Sequence, residues 1–205
     1  VVGNYVGKVA LAAVGASTPI INMLIGFFMG ISTGAGVVIA QFFGAGDLSK
    51  MKKAIHNSIA LTLVIGVVLT VIGLVFNDPI LKAIGVPSDV FSEASTYLSI
   101  YFWSLIFVMI YNMGSGILRS VGDSKRPLYF LIFSSIINIV LDFLFVKNFG
   151  FGVAGAGYAT LIAQAISAIM VMYVLMKTED SYKVVLKDIK FDKEILLKII
   201  KIGLP

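Results

Sequence analysis

The chain has 205 residues, of which 59% are hydrophobic and only 13% charged, with a mean hydropathy of +0.99. This leaves too little polar surface to cover a water-soluble globule, and the long apolar runs are too continuous for barrel strands, so the composition specifies an all-α, polytopic transmembrane helical bundle. The net charge of +5 takes its meaning from where the charges sit, not from a nucleic-acid-binding face, and the absence of cysteine excludes disulfides and thiolate chemistry.

In chain order the apolar runs cover residues 19–43, 54–76, 97–118, 127–146 and 154–176. Each meets the requirement of about 20 residues for a helix crossing the hydrocarbon core. The first run carries Gly26, Gly30 and Gly34 at four-residue spacing, a ladder of small residues that predicts close approach of a second helix. Gly44 and Gly46 stop it, and Asp47 or Ser49 caps the next. His56, near the start of the second run, has no second ligand in sequence reach for a metal or catalytic site. The third run contains Tyr97, Tyr101 and Trp103, predicted to form an aromatic belt at the outer interface, and further on Asn112.

Residues 119–127 (RSVGDSKRP) form a short turn, with Ser124 as N-cap and Pro127 in the first helical turn. The fourth run holds Asp142. Gly150, Gly152 and Gly155 then spell G-x-G-x-x-G, but they follow about 20 apolar residues, not a short strand, which removes the dinucleotide reading. A tight outer turn followed by close packing through Gly155 and Gly157 is expected instead. After the fifth run, residues 181–194 alternate lysine with apolar residues, as a connector along the inner headgroups would. Residues 195–205 begin like another span. Since the chain opens on Val1 and that last run stops at Pro205, a segment of a longer protein is expected, with residues 1–180 forming one transmembrane lobe.

Alternating sides across five spans puts residues 44–53, 119–126 and 177–194 at one end. Lys50, Lys52, Lys53, Arg119, Lys125 and Arg126 lie there, as do Lys177, Lys183, Lys187, Lys190, Lys193, Lys198 and Lys201. Only Lys8, Lys82 and Lys147 fall at the other. The positive-inside rule makes the first end cytoplasmic, and a multi-pass protein of the plasma membrane is the expectation.

A carboxylate inside such a run costs roughly 2.5–3.5 kcal/mol on insertion scales, so Asp142 is the leading functional candidate. Ser134, Asn138 and Asp142 recur every four positions and share one helical face. Thr160, Gln164 and Ser167 form a second polar face on the following span. The short outer turn makes these helices antiparallel neighbours and sets Asp142 and Thr160 at similar depth. Carboxylate, amide and hydroxyl oxygens suit a small hard cation, and the carboxylate alone can carry a proton. Asp142, Asn138 and Thr160 are therefore the candidate cation ligands, with Gln164, Ser134 and Asn112 as candidate cavity-lining residues. Lone His56, absent cysteine and one intramembrane acid give no constellation for an enzyme. Met109, Met113, Met170, Met172 and Met176 are read as gap-filling residues.

Residues 2–20 (VGNYVGKVALAAVGASTPI), 30–47 (GISTGAGVVIAQFFGAGD), 116–127 (GILRSVGDSKRP), 138–142 (NIVLD) and 152–164 (GVAGAGYATLIAQ) resemble the multidrug and toxic compound extrusion (MATE) family, in order and along the whole chain. The resemblance implies the N-terminal half of a twelve-span protein built from two six-helix lobes, without its first span. It implies export of small organic, often cationic, compounds in exchange for sodium ions or protons, with no further cofactor and with the missing C-terminal lobe as partner. In that family an Asn and an Asp four apart on the fifth span and a Thr on the sixth take part in the cation site. The matching residues are Asn138, Asp142 and Thr160. An aspartate that the family places at the end of its first span would fall just before Val1. A lipid-linked saccharide flippase of the wider superfamily is the alternative.

Overall fold

The computed structural model describes residues 2–203, so Val1 and the last two residues of the expected 195–205 span lie outside the described residues. A short helix α1 (Val2–Tyr5) leads into α2 (Lys8–Gly44), α3 (Leu48–Val75), α4 (Asn77–Ala83), α5 (Ser88–Ser120), α6 (Lys125–Asp142), α7 (Gly152–Lys177) and α8 (Lys193–Gly203). A π-helical segment, Phe143–Asn148, continues α6, and a 3₁₀ turn, Leu186–Asp188, interrupts the connector. Five of these units are long and apolar enough to cross a membrane: α2, α3, α5, α6 with its π extension, and α7.

Every spanning helix begins or ends outside its apolar run. The first is a clear correction: α2 starts at Lys8, so Pro19 sits inside it instead of opening it. Proline removes one amide donor, but the turn before it is tied by hydroxyls, Ser17 Oγ donating to the Ala13 carbonyl and Thr18 Oγ1 to that of Val14, both at 3.1 Å. The capping of α3 falls to Asp47, whose Oδ1 accepts from the Lys50 N–H at 3.0 Å. At α6 the expected cap is corrected: Ser124 makes no capping bond, and Asp123 Oδ1 accepts from the Arg126 N–H at 3.1 Å. Gly46 (φ 71°) lets the chain reverse between α2 and α3, and the Asp47 N–H closes that turn on the Phe42 carbonyl at 3.0 Å.

Helix α5 is the axis of the bundle, packed on α2, α3 and α7, while α6 leans mainly on α7 and is the most exposed span. A Cβ at Gly116 would stand 2.6 Å from Ser32 Oγ and one at Gly114 2.7 Å from Val171, so α2 and α7 approach α5 through glycine. Buried apolar side chains form two clusters. One, at the expected cytoplasmic end, joins Ile39, Met51, Ile55, Ile117 and Leu175; the other, in the outer half, joins Phe28, Leu81, Leu98, Phe102 and Leu105. Met113 and Met109 are buried one in each cluster, and Met170, Met172 and Met176 pack against the first.

The glycine ladder on α2 works at two of its three rungs. A Cβ at Gly34 would come 2.6 Å from Gly203 Cα and one at Gly30 2.7 Å from the Gly203 carbonyl, whereas Gly26 faces open space. Their partner is α8, which folds back against α2. The connector is fastened as well: Tyr182 and Val184 are buried in the first cluster, and the Val184 N–H donates to the Leu175 carbonyl at 2.8 Å. Ile189 packs against the same cluster, so only part of the connector is left to face headgroups. The aromatic belt is also corrected. Trp103 is 58% exposed, but Tyr101 is buried, and Tyr97 lies nine residues into α5, about 14 Å from its start.

Candidate cation site

Helices α6 and α7 meet along their polar stripes. Ser134, Ser135 and Asn138 from α6 and Thr160 and Gln164 from α7 line a narrow cleft of about 110 Å³. Asn112 does not line it: the Asn112 Nδ2 donates to the Val108 carbonyl at 2.8 Å, and its backbone carbonyl accepts from Ser32 Oγ at 2.9 Å, at the contact of α5 with α2. The buried hydroxyls of Ser134 and Ser167 donate back into their own helices, to Leu131 at 3.1 Å and Gln164 at 2.9 Å. Serine protons are thus turned away and their oxygen lone pairs left available.

Asp142 lies one turn beyond Asn138, at the last residue of α6. Its carboxylate is half-buried, and Oδ1 is shut off from solvent with no hydrogen-bond partner among the described residues. An orphaned carboxylate oxygen is costly in the interior unless a proton or cation satisfies it. Thr160 shares the cleft with Asn138, not with Asp142. The chain between the two spans explains the offset, because the π segment following Asp142 rises less per residue than the α-helix on the other side of the turn. This outer end is held by packing. A Cβ on Gly155 would stand 3.1 Å from the backbone carbon of Phe145, so α7 rests directly on the π turn, and Phe145, Phe149 and Phe151 cluster with centroids 5.7–6.1 Å apart. Gly157 likewise receives Ile100 of α5. The glycine triplet is a turn and a packing surface.

One residue near the carboxylate escapes the stripe pattern. Tyr97 of α5 is half-buried on the same side of the bundle as Asp142, with no hydrogen bond between the two among the described residues, and Tyr101, one turn on, is buried. No cluster of three or more His, Asp or Glu side chains occurs among the described residues. His56 is a structural residue: Nδ1 donates to the Lys52 carbonyl at 2.7 Å and Nε2 accepts from the Val185 N–H at 3.0 Å.

Five helices long and apolar enough to cross a membrane define a multi-pass integral membrane protein. The chain belongs to the MatE family, whose model matches residues 1–144. It is 36% identical over its whole length to the probable multidrug resistance protein YoeA of Bacillus subtilis, of which it spans 46%. Among solved structures, it superimposes with a TM-score of 0.89 on an inward-facing multidrug resistance MATE transporter of the MOP superfamily, at 32% identity over 96% of this chain. The outward-facing conformation of such a transporter gives 0.90 over 97%. The chain spans about half the length of the relatives it matches. Their names describe multidrug resistance and transport, not enzymes, and do not favour the flippase alternative.

Proposed function

We propose that this chain is one lobe of an antiporter that exports small organic compounds by alternating access, coupled to sodium or proton entry through Asp142. The observation that carries the reading is the buried Oδ1 of Asp142, without a hydrogen-bond partner among the described residues, beside the polar cleft of Asn138 and Thr160. A carboxylate that must be satisfied exchanges ligands naturally: a proton neutralises it directly, and a sodium ion does so with the help of neutral oxygens. Asn138 supplies an amide oxygen and Thr160 a hydroxyl, with the Tyr97 phenol on the same side of the bundle. Gln164 and Ser134 extend the polar lining inward.

Near-equal similarity to an inward-facing and an outward-facing transporter supports a lobe that moves as one body while the opening changes sides. The relatives' names support organic compounds as cargo. Efflux of a fluorescent organic cation from vesicles containing the intact two-lobed transporter tests the reading, with a sodium and a proton gradient imposed in turn. Acceleration by one gradient is expected; efflux indifferent to both would overturn the coupling.

A further inference from the structure

Away from the cleft between α6 and α7, the first turns of α3 and the connector enclose a larger one, of about 400 Å³. It is built, not incidental. Two consecutive buried side chains of α3 hold the connector backbone at two points: His56 Nε2 accepts from the Val185 N–H at 3.0 Å, and Asn57 Nδ2 donates to the Asp192 carbonyl at 2.6 Å. Residues 186–191 therefore arch over the start of α3 between fixed ends. With Nδ1–H donated to the Lys52 carbonyl, Nε2 is the ring nitrogen left to accept from the arch.

Lys52 and Lys53 line this cleft from α3 and Lys190 from the arch. Among the described residues, ion pairs join Lys50 to Asp47 and Arg126 to Asp123, which leaves these three ammonium groups without a carboxylate. Asp192 borders the cleft, but its Oδ1 is engaged as the cap of α8, accepting from the Ile195 N–H at 3.3 Å. Asp188 is exposed and makes no ion pair there. An adjoining cleft shares Lys53 and Asp192 and adds Lys50, Lys198 and Glu194. On the same arch Leu186 and Phe191 are 57% and 50% exposed.

Unpaired ammonium groups beside exposed apolar side chains, at the end where basic residues concentrate, match an anionic phospholipid and not a soluble anion. We propose that this cleft holds the headgroup phosphate of an anionic phospholipid of the inner leaflet between Lys52, Lys53 and Lys190, with the acyl chains lying along Leu186 and Phe191. The bound lipid would anchor the connector to the membrane surface.

Native mass spectrometry of the intact transporter, purified with phosphatidylglycerol or phosphatidylcholine, tests this. Preferential retention of phosphatidylglycerol is expected, and K52Q/K53Q/K190Q should reduce it roughly tenfold or more. K177Q/K183Q/K187Q removes the same charge outside the cleft and should leave retention unchanged. His56→Leu keeps all three lysines but releases the arch at Val185, and should lower retention several-fold; it also serves if the triple variant fails to fold. Equal losses in both triple variants, or full retention in His56→Leu, would show diffuse attraction and overturn the site. Displacement of the lipid by excess inorganic phosphate, with no preference between the two lipids, would make the ligand a soluble anion and overturn it as well.

Discussion

Around Asp142 the chemistry is unequal. The carboxylate carries the charge, while Asn138 and Thr160 offer neutral oxygens of which a cation needs several. Thr160→Ala should therefore weaken gradient-driven efflux partially and Asn138→Ala more so, measured as initial rates in vesicles at matched protein density. Tyr97→Phe, which removes only the phenol oxygen, is expected to fall near Thr160→Ala while leaving the fold intact. Spacing alone made the Ser134, Asn138 and Asp142 stripe legible, because apolar surroundings leave few polar positions to align. Tyr97 was hidden because an aromatic near a span's end is expected at the interface. A wheel at about 100° per residue would have separated it, since Trp103 lies about 240° around from Tyr97 on α5.

A second residue-scale prediction concerns Asp47, outside the membrane. The Lys50 N–H, then the Lys50 ammonium, hold its carboxyl below the usual carboxylate range, with Lys53 adding a weaker pull. A depressed acid contributes stability that is present above its unfolded pKa, about 3.9, and lost as pH falls through the folded value. Amide protection at the start of α3 should accordingly drop below about pH 4. Asp47→Asn, which still accepts a capping bond but does not titrate, should remove that pH dependence. Hydrogen exchange, corrected for intrinsic rates, reads both.

At the scale of elements, contacts decide what composition leaves open. Gly26, Gly30 and Gly34 look alike as a ladder, yet only the last two meet α8. Gly34→Ala should cost about 1–3 kcal/mol, because the facing atoms are backbone and cannot swing aside. Gly26→Ala, in open space with a better helix former, should be neutral or slightly stabilising. Thermal unfolding of the two variants in the same detergent checks the contrast, and equal melting temperatures would contradict the assigned contact. The number and order of the spans were readable from hydropathy because crossing lipid demands long apolar runs. Helix ends were not, since the first turns of α2, α3 and α5 lie beyond the run and are polar or mixed. The π segment after Asp142 has no composition signal: Phe143–Asn148 reads as ordinary apolar helix, and only the structure shows α7 packed against Phe145 through Gly155.

For the whole molecule, orientation and coupling are the two claims on which function rests. Concentration of basic residues at one end predicts that cysteines placed at Ser124 and Asn148 label from opposite sides, the first from the cytoplasm and the second from outside. Labelling of both from one side would reverse that topology. The central claim is that the charge on Asp142 couples the gradient to export. Asp142→Asn preserves the size of the side chain and its capacity for hydrogen bonding while removing the charge, so insertion should persist. Efflux from vesicles carrying the intact transporter, driven by whichever of the sodium and proton gradients accelerates the parent protein, is the most direct measurement. The account predicts that gradient acceleration disappears in Asp142→Asn, and full gradient-driven efflux in that variant would contradict it.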